Sequence, residues 1–245
     1  MLAIYKREMR SYFTTWTGYI FLAVAMCLSS LIFAISTYFN LSGATSDTSG
    51  YFSTMIYGMI IFLPILTMRS FSEEKKLKTE QLLMTAPISS WQMVLGKFLS
   101  ALTMLVIYLV ISLLNFIPIF DYAVVVGMKD SGPNVALMLG NIVAMLLVGS
   151  CFIAIGIFVS SLTENQFASI VLTVVVLLSF FAISLGISYV ENDVTRAILG
   201  WFSIYDKYAY FSYGIFDISA LLYYISISGV FIFLTTRVFV ARRYN

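Results

Sequence analysis

The spacing of its charged residues constrains this chain more than any other feature. Six stretches carry no Asp, Glu, Lys or Arg for at least 19 residues: Arg10 to Asp47, Asp47 to Arg69, Lys97 to Asp121, Asp130 to Glu164, Glu164 to Glu191, and Asp217 to Arg237. A helix needs about 20 mostly apolar residues to cross the hydrocarbon of a bilayer. The gaps therefore predict six spanning helices, near 17–37, 51–67, 98–120, 135–160, 167–190 and 218–236. The last contains Ser219, Ser226 and Ser228 but also ten Leu, Ile, Val or Phe residues. Those ten favour insertion by roughly 3–6 kcal/mol, which outweighs the serines. The first apolar run, at about 20 residues, exceeds the 7–15 of a signal-peptide core and reads as a permanent helix.

Composition agrees. Hydrophobic residues make up 60% of the 245 and charged residues 11%, with mean hydropathy +0.95. A soluble domain carries about 25% charged residues, so a soluble enzyme is excluded. Histidine is absent, which removes the commonest metal ligand and general base. Cys27 and Cys151 lie in apolar stretches and read as small core residues. A net charge of +2 is too small to suggest a nucleic-acid partner.

Six spans put both ends on one side, and the cations choose the side. The N-terminus, the loop between spans two and three, and the C-tail hold eleven Lys and Arg; the opposite loops hold only Lys129, Arg196 and Lys207. Positive charge favours the cytoplasm, so both termini are expected there.

Residues 1–16 form a distinct unit. Leu2, Tyr5, Met9, Tyr12, Phe13 and Trp16 recur at helical spacing, with Lys6, Arg7 and Arg10 on the other side. Such a helix can lie in the membrane interface with its cations near anionic headgroups; the plainer alternative is an ordinary positive flank of span one. Residues 69–97 hold eight of the 26 charges. Ser70 with Glu73 makes a capping-box pattern that predicts a helix over 71–86, stopped or kinked by Pro87. Ser89 with Gln92 makes a second, which would begin the helix entering the membrane near Lys97. Phe71, Leu77, Leu82 and Leu83 have no obvious bilayer to enter, and they read either as a docking surface or as groups resting on lipid. Eight of the sixteen residues 201–216 are aromatic. They read as an interfacial belt or as a short helix pair dipping back into the outer leaflet, with Gly214 permitting the turn. Gly149, Gly156 and Ser160 share a face of span four and predict close helix packing, within one chain or between two.

The loop after span two resembles the signature region of bacterial type-2 ATP-binding-cassette (ABC) permeases, in particular the gliding-motility-type subfamily. The matching positions are Glu73 and Glu74, then Lys78, Thr79, Glu80, Leu82 and Leu83, then Pro87, then Gly96 and Lys97. Lys78 stands where that family usually has glycine. The N-terminal KREMRSYF, the entry to span six and the closing ARRYN resemble the corresponding parts of the family. The resemblance implies an all-α integral membrane fold of one permease domain, 1–245. Its parts are an elbow helix (1–16), spans one and two (17–67), a cytoplasmic coupling loop (68–97), spans three to six with an outer re-entrant segment (98–240), and a tail (241–245). It implies a bacterial cytoplasmic-membrane location, a second permease copy or close homologue, and two separate ATPase subunits holding ATP and magnesium. In some systems of this type an extracytoplasmic auxiliary subunit is added. The coupling residues so implied are Phe71, Glu73, Glu74, Lys78, Thr79, Glu80, Leu82, Leu83 and Pro87. With spans two and five facing a shared axis, Thr54, Tyr57 and Gly58 would face Thr173, Phe180 and Ser184 across the substrate pathway. Those polar groups read equally as helix-packing contacts.

The leading expectation is thus the membrane subunit of an ABC exporter. This chain should hold no nucleotide itself, since Gly96–Lys97 lacks the glycine five residues earlier that a phosphate-gripping loop requires. The alternatives are the substrate-capturing subunit of an ABC importer and an ion-coupled secondary transporter. The latter normally places ionisable groups at mid-membrane depth, and no predicted span carries one there.

Overall fold

The computed structural model describes residues 1–38, 49–79, 89–118, 135–187, 189–190, 192–212 and 217–244. Ten α-helices are described: α1 Leu2–Thr14, α2 Trp16–Phe33, α3 Ser49–Thr67, α4 Arg69–Lys76, α5 Ser90–Ser112, α6 Val135–Leu162, α7 Gln166–Ile187, α8 Asp193–Phe202, α9 Ile204–Ser212 and α10 Ile218–Tyr244. Six helical stretches are long and apolar enough to cross a membrane, and they match the six charge-free gaps. The protein is an all-α, multi-pass membrane protein.

α6 is the axis of the bundle. It packs against α3, α4, α5, α7, α9 and α10 and is the most buried span, whereas α7 is the least buried. Two glycines explain how neighbours come so close. A Cβ on Gly149 would overlap the Leu105 side chain of α5, and one on Gly156 would overlap Thr67 Oγ1 of α3. The small-residue face of α6 is therefore filled by the chain's own helices, leaving none of it for a second copy.

α1 and α2 are separated only at Thr15, which is extended (φ −94°, ψ 157°). Gly18 permits the fold-back, because any Cβ there would strike the Tyr12 carbonyl. α1 carries three faces. Ile4 and Tyr12 are buried with Glu8 beside them, Lys6 and Arg10 are exposed, and Leu2 and Phe13 are exposed and apolar, as is Trp16 at the start of α2. A two-sided pattern was expected, but the apolar side divides: Tyr12 turns to protein, and Leu2, Phe13 and Trp16 turn outward.

Three local expectations are corrected. No new helix starts at Ser70. α4 continues α3 through Met68, whose own backbone is helical (φ −53°, ψ −36°), and Glu73 is held by Arg69 (Nε to Oε2, 2.6 Å). α4 ends at Lys76 and does not run to 86; Glu80, Leu82, Leu83 and Pro87 lie outside the described residues. The second capping pattern does start a helix where expected: α5 begins at Ser90 with Ser89 as its cap, Ser89 Oγ accepting from Gln92 N at 3.3 Å. Of the two cysteines, Cys151 is a core residue but Cys27 faces outward.

The segment after span five forms two short helices, of which the second carries most of the described rings. α8 starts on an Asn192 cap, which accepts from Val194 N at 3.1 Å, and the turn into α9 is at Ser203. Gly214, the expected turn, lies outside the described residues. α9 tucks into the bundle: Ile204, Tyr205, Tyr208 and Phe211 are buried, Tyr208 OH donates to Asn141 Oδ1 (2.6 Å), and Tyr224 OH donates to the Ile204 carbonyl (2.7 Å). Tyr224 lies six residues into α10, so by about 1.5 Å per residue α9 reaches roughly 9 Å below the start of that span.

Candidate functional site

Two regions gather the sequence candidates. The first is where both termini meet the bundle. α1 leans on the head of α5, with Gly96 letting Ile4 approach: a Cβ there would meet Ile4 Cβ at 3.2 Å. Beside it, Lys97 is 2% exposed. A buried ammonium persists only when paired. Lys97 Nζ lies 3.2 Å from a Glu8 oxygen on α1 and 2.9 Å from a Glu74 oxygen on α4, and it donates to the Ser70 carbonyl. It also stands 4.7 Å above the centre of the Phe71 ring. Arg7 closes the group from outside, 3.1 Å from Glu8 and 2.7 Å from Glu74. Tyr12 is buried nearby, and burial raises the pKa of its phenol, keeping it neutral.

α4 is fastened on its other side by one hydroxyl. Ser160 Oγ accepts from the amides of Phe71 (3.1 Å) and Ser72 (3.2 Å) and donates to the Met68 carbonyl (3.1 Å). This bridges the turn between α3 and α4, where the regular helical bonds are interrupted. Phe71, expected to reach a partner, is 1% exposed, and its ring packs against Phe239 of α10 at 4.5 Å between centres. It positions α4 from within. What α4 shows outward is its tip: Lys76, Leu77 and Lys78 are exposed, Leu77 at 63%. The tip is closed by a Schellman turn, with Thr79 N donating to the Glu74 carbonyl and Lys78 N to that of Lys75, both at 3.0 Å. Lys78 takes φ 56°, the left-handed conformation that glycine adopts without strain. The lysine at this position thus keeps the turn that the related glycine would make.

The second region is the outer side of α3. Thr54, Tyr57 and Ile61 are exposed there, Tyr57 at 44%. Gly58 does not share that face; a Cβ on it would meet Ile32 Cδ1 of α2 at 3.3 Å. On α7, Thr173 is buried and bonded to its own helix (Ser169 carbonyl, 2.7 Å), while Phe180 and Ser184 are half-buried. Tyr57 is joined to that helix and to α9 by a cluster of rings: 4.9 Å to Phe181, 5.6 Å to Tyr205, with Tyr205 5.1 Å from Phe181 and 6.3 Å from Phe152 of α6. The wall is aromatic and hydroxylic.

A family model described as "ABC-2 family transporter protein" matches residues 2–240. The chain belongs to the ABC-2 transporter family. It is a membrane-embedded permease subunit of an ABC transporter. The match spans both regions, from the start of α1 into the last turn of α10. No curated protein matches the chain.

Sequence reasoning missed Glu8, the buried state of Lys97 and the clasp at Ser160. One signal was available for the first. Glu8 is the only acidic residue in the first 46, and it stands among Lys6, Arg7 and Arg10. A lone acid among cations on a membrane-facing helix calls for a specific partner.

Proposed function

We propose that this permease subunit works as an exporter driven from the tip of α4. The observation that carries the reading is the build of α4. It is a direct continuation of span two, braced inside by Phe71, Ser160 and Lys97, and it presents an apolar residue, Leu77, between two exposed cations. A receiving element needs such a form: a stiff base and an exposed, recognisable end. The partner is an ABC ATPase subunit holding ATP and magnesium, one for each of two permease copies. The termini face is the cytoplasmic side of a bacterial cell membrane, in keeping with its eleven cations against three. Glu73, Thr79 and the segment 80–87 belong to the docking surface, and Phe71 and Glu74 hold it in place. Cargo passes along the exposed wall of α3, with Thr54 and Tyr57 as its contacts and Phe180 and Ser184 opposite; Gly58 and Thr173 hold helices together. Such a wall suits an amphipathic or lipid-like cargo, because a bare ion would lose its hydration uncompensated.

The test is affinity purification of the full chain in mild detergent, followed by mass spectrometry. An ATPase subunit is expected with the wild type and should fall at least fivefold with Leu77→Asp, while the permease itself stays monodisperse. Equal recovery of the ATPase with both would overturn α4 as the docking element.

A further inference from the structure

We propose that Lys97 is a positioning residue that makes α1, α4 and the head of α5 one rigid body, so that whatever moves the tip of α4 also carries the N-terminal helix. The inference rests on the reading of α4 as the receiving element only for its use in transport; the rigid body itself stands on the geometry.

An ammonium group has three N–H donors and no acceptor. Lys97 finds three acceptors: a Glu8 carboxylate oxygen, a Glu74 carboxylate oxygen and the Ser70 carbonyl. None belongs to its own helix. One is on α1 and two are on α4, so the cation is satisfied only while both helices are in place. At 2% exposure it has no water to fall back on. Arg7 reaches the same two carboxylate oxygens from the outer side, so the two acids are matched by two cations, while Glu74 Oε2 is buried without a hydrogen-bond partner among the described residues. Gly96 completes the joint by admitting Ile4 against α5. A movement of α4 that left α1 behind would strand a buried charge, whereas a joint movement of the three elements keeps that charge paired and is resisted only by the contacts of α4 with Ser160 and Phe239. The adjacent Gly and Lys at the start of span three thus have linked physical roles: one gives the close approach, the other locks it.

The test uses the full chain in lipid nanodiscs, with Cys27 and Cys151 replaced, spin labels on Lys6→Cys and Lys76→Cys, and labelled chain diluted into unlabelled chain. Electron–electron resonance should give one narrow distance distribution between α1 and α4. Lys97→Met should broaden it at least twofold, and Glu8→Gln should broaden it to a lesser degree. Gly149→Ala crowds Leu105 in the middle of the bundle, so it serves as a destabilised control and should leave the distribution narrow. A broad distribution in the parent, or an unchanged one in Lys97→Met, overturns the proposal. If Lys97→Met does not fold, an unchanged distribution in Glu8→Gln overturns it. No ATPase or cargo enters this measurement, so failure of the docking reading would leave its result intact.

Discussion

Replacing Ser160 by alanine removes one oxygen and leaves two buried amides without their acceptor. The amides of Phe71 and Ser72 both end on that oxygen, and both residues are buried. The Met68 carbonyl is less affected, because the Ser72 hydroxyl also donates to it. An orphaned buried donor costs about 1–3 kcal/mol, and relaxation of α4 toward the carbonyls of Thr67 and Met68 recovers part of the sum, so the expected loss is about 2–4 kcal/mol. Ser161 is the control. Among the described residues its hydroxyl bonds only to the Phe158 carbonyl of its own helix, at 2.6 Å, and Ser161→Ala should cost less than about 1 kcal/mol. Denaturant unfolding in mixed micelles would compare the two, and hydrogen exchange over 69–76 would show whether the loss is local to α4. The clasp is refuted if the two variants agree within about 0.5 kcal/mol, the scatter expected of independent sites.

Two further outcomes test the surrounding fold. With Cys27 and Cys151 replaced, an impermeant thiol reagent applied to intact cells should label Tyr189→Cys and spare Lys76→Cys; the reverse pattern would invert the orientation and remove the docking argument. Tyr208→Phe deletes the bond to Asn141 and should cost about 1–2 kcal/mol, with faster exchange across 204–212. Unchanged protection there would mean that α9 is not held in the bundle by this contact.

The spans were legible because charge is intolerable in hydrocarbon, and residues such as Arg69, Asp130 and Glu164 therefore mark their edges. The start of α5 was legible as a serine with glutamine three residues on; the excess of rings after span five left a belt and a helix pair open and pointed to a turn at Gly214, whereas the described pair turns at Ser203. Which face of each helix turns inward was not legible. Protein interior and lipid are both apolar, so hydropathy ranks Phe71, Leu77, Gly58 and Cys27 without telling one surface from the other. Lys97 was hidden for another reason. At the rim of a span, a lysine ordinarily extends to water, and only the joint placement of Glu8 and Glu74, 66 residues apart in sequence, shows that this one does not. The turn at Lys78 was obscured by its side chain, since the missing glycine argued against the left-handed backbone that the chain adopts.

The run from span two through Met68 into α4 also has a mechanical dimension. From Gly50 to Lys76 it has 27 residues, about 40 Å of helix against about 30 Å of hydrocarbon. In the docking role proposed above it would act as an oar whose blade extends beyond the bilayer. If it swings as one piece by about 10° around its middle, the tip travels about 3.5 Å, and Tyr57, about 9 Å up the other arm, travels about 1.5 Å the opposite way. If the joint at Met68 gives, only the eight residues of α4 swing, and Tyr57 stays still. Pro64, whose missing N–H leaves one rung of the helix unmade, lies beside the fulcrum. Any stroke that reaches Tyr57 from the tip of α4 would thus depend on two small features, a prolyl ring at the pivot of the shaft and the Ser160 hydroxyl of α6 that clasps the joint four residues beyond it.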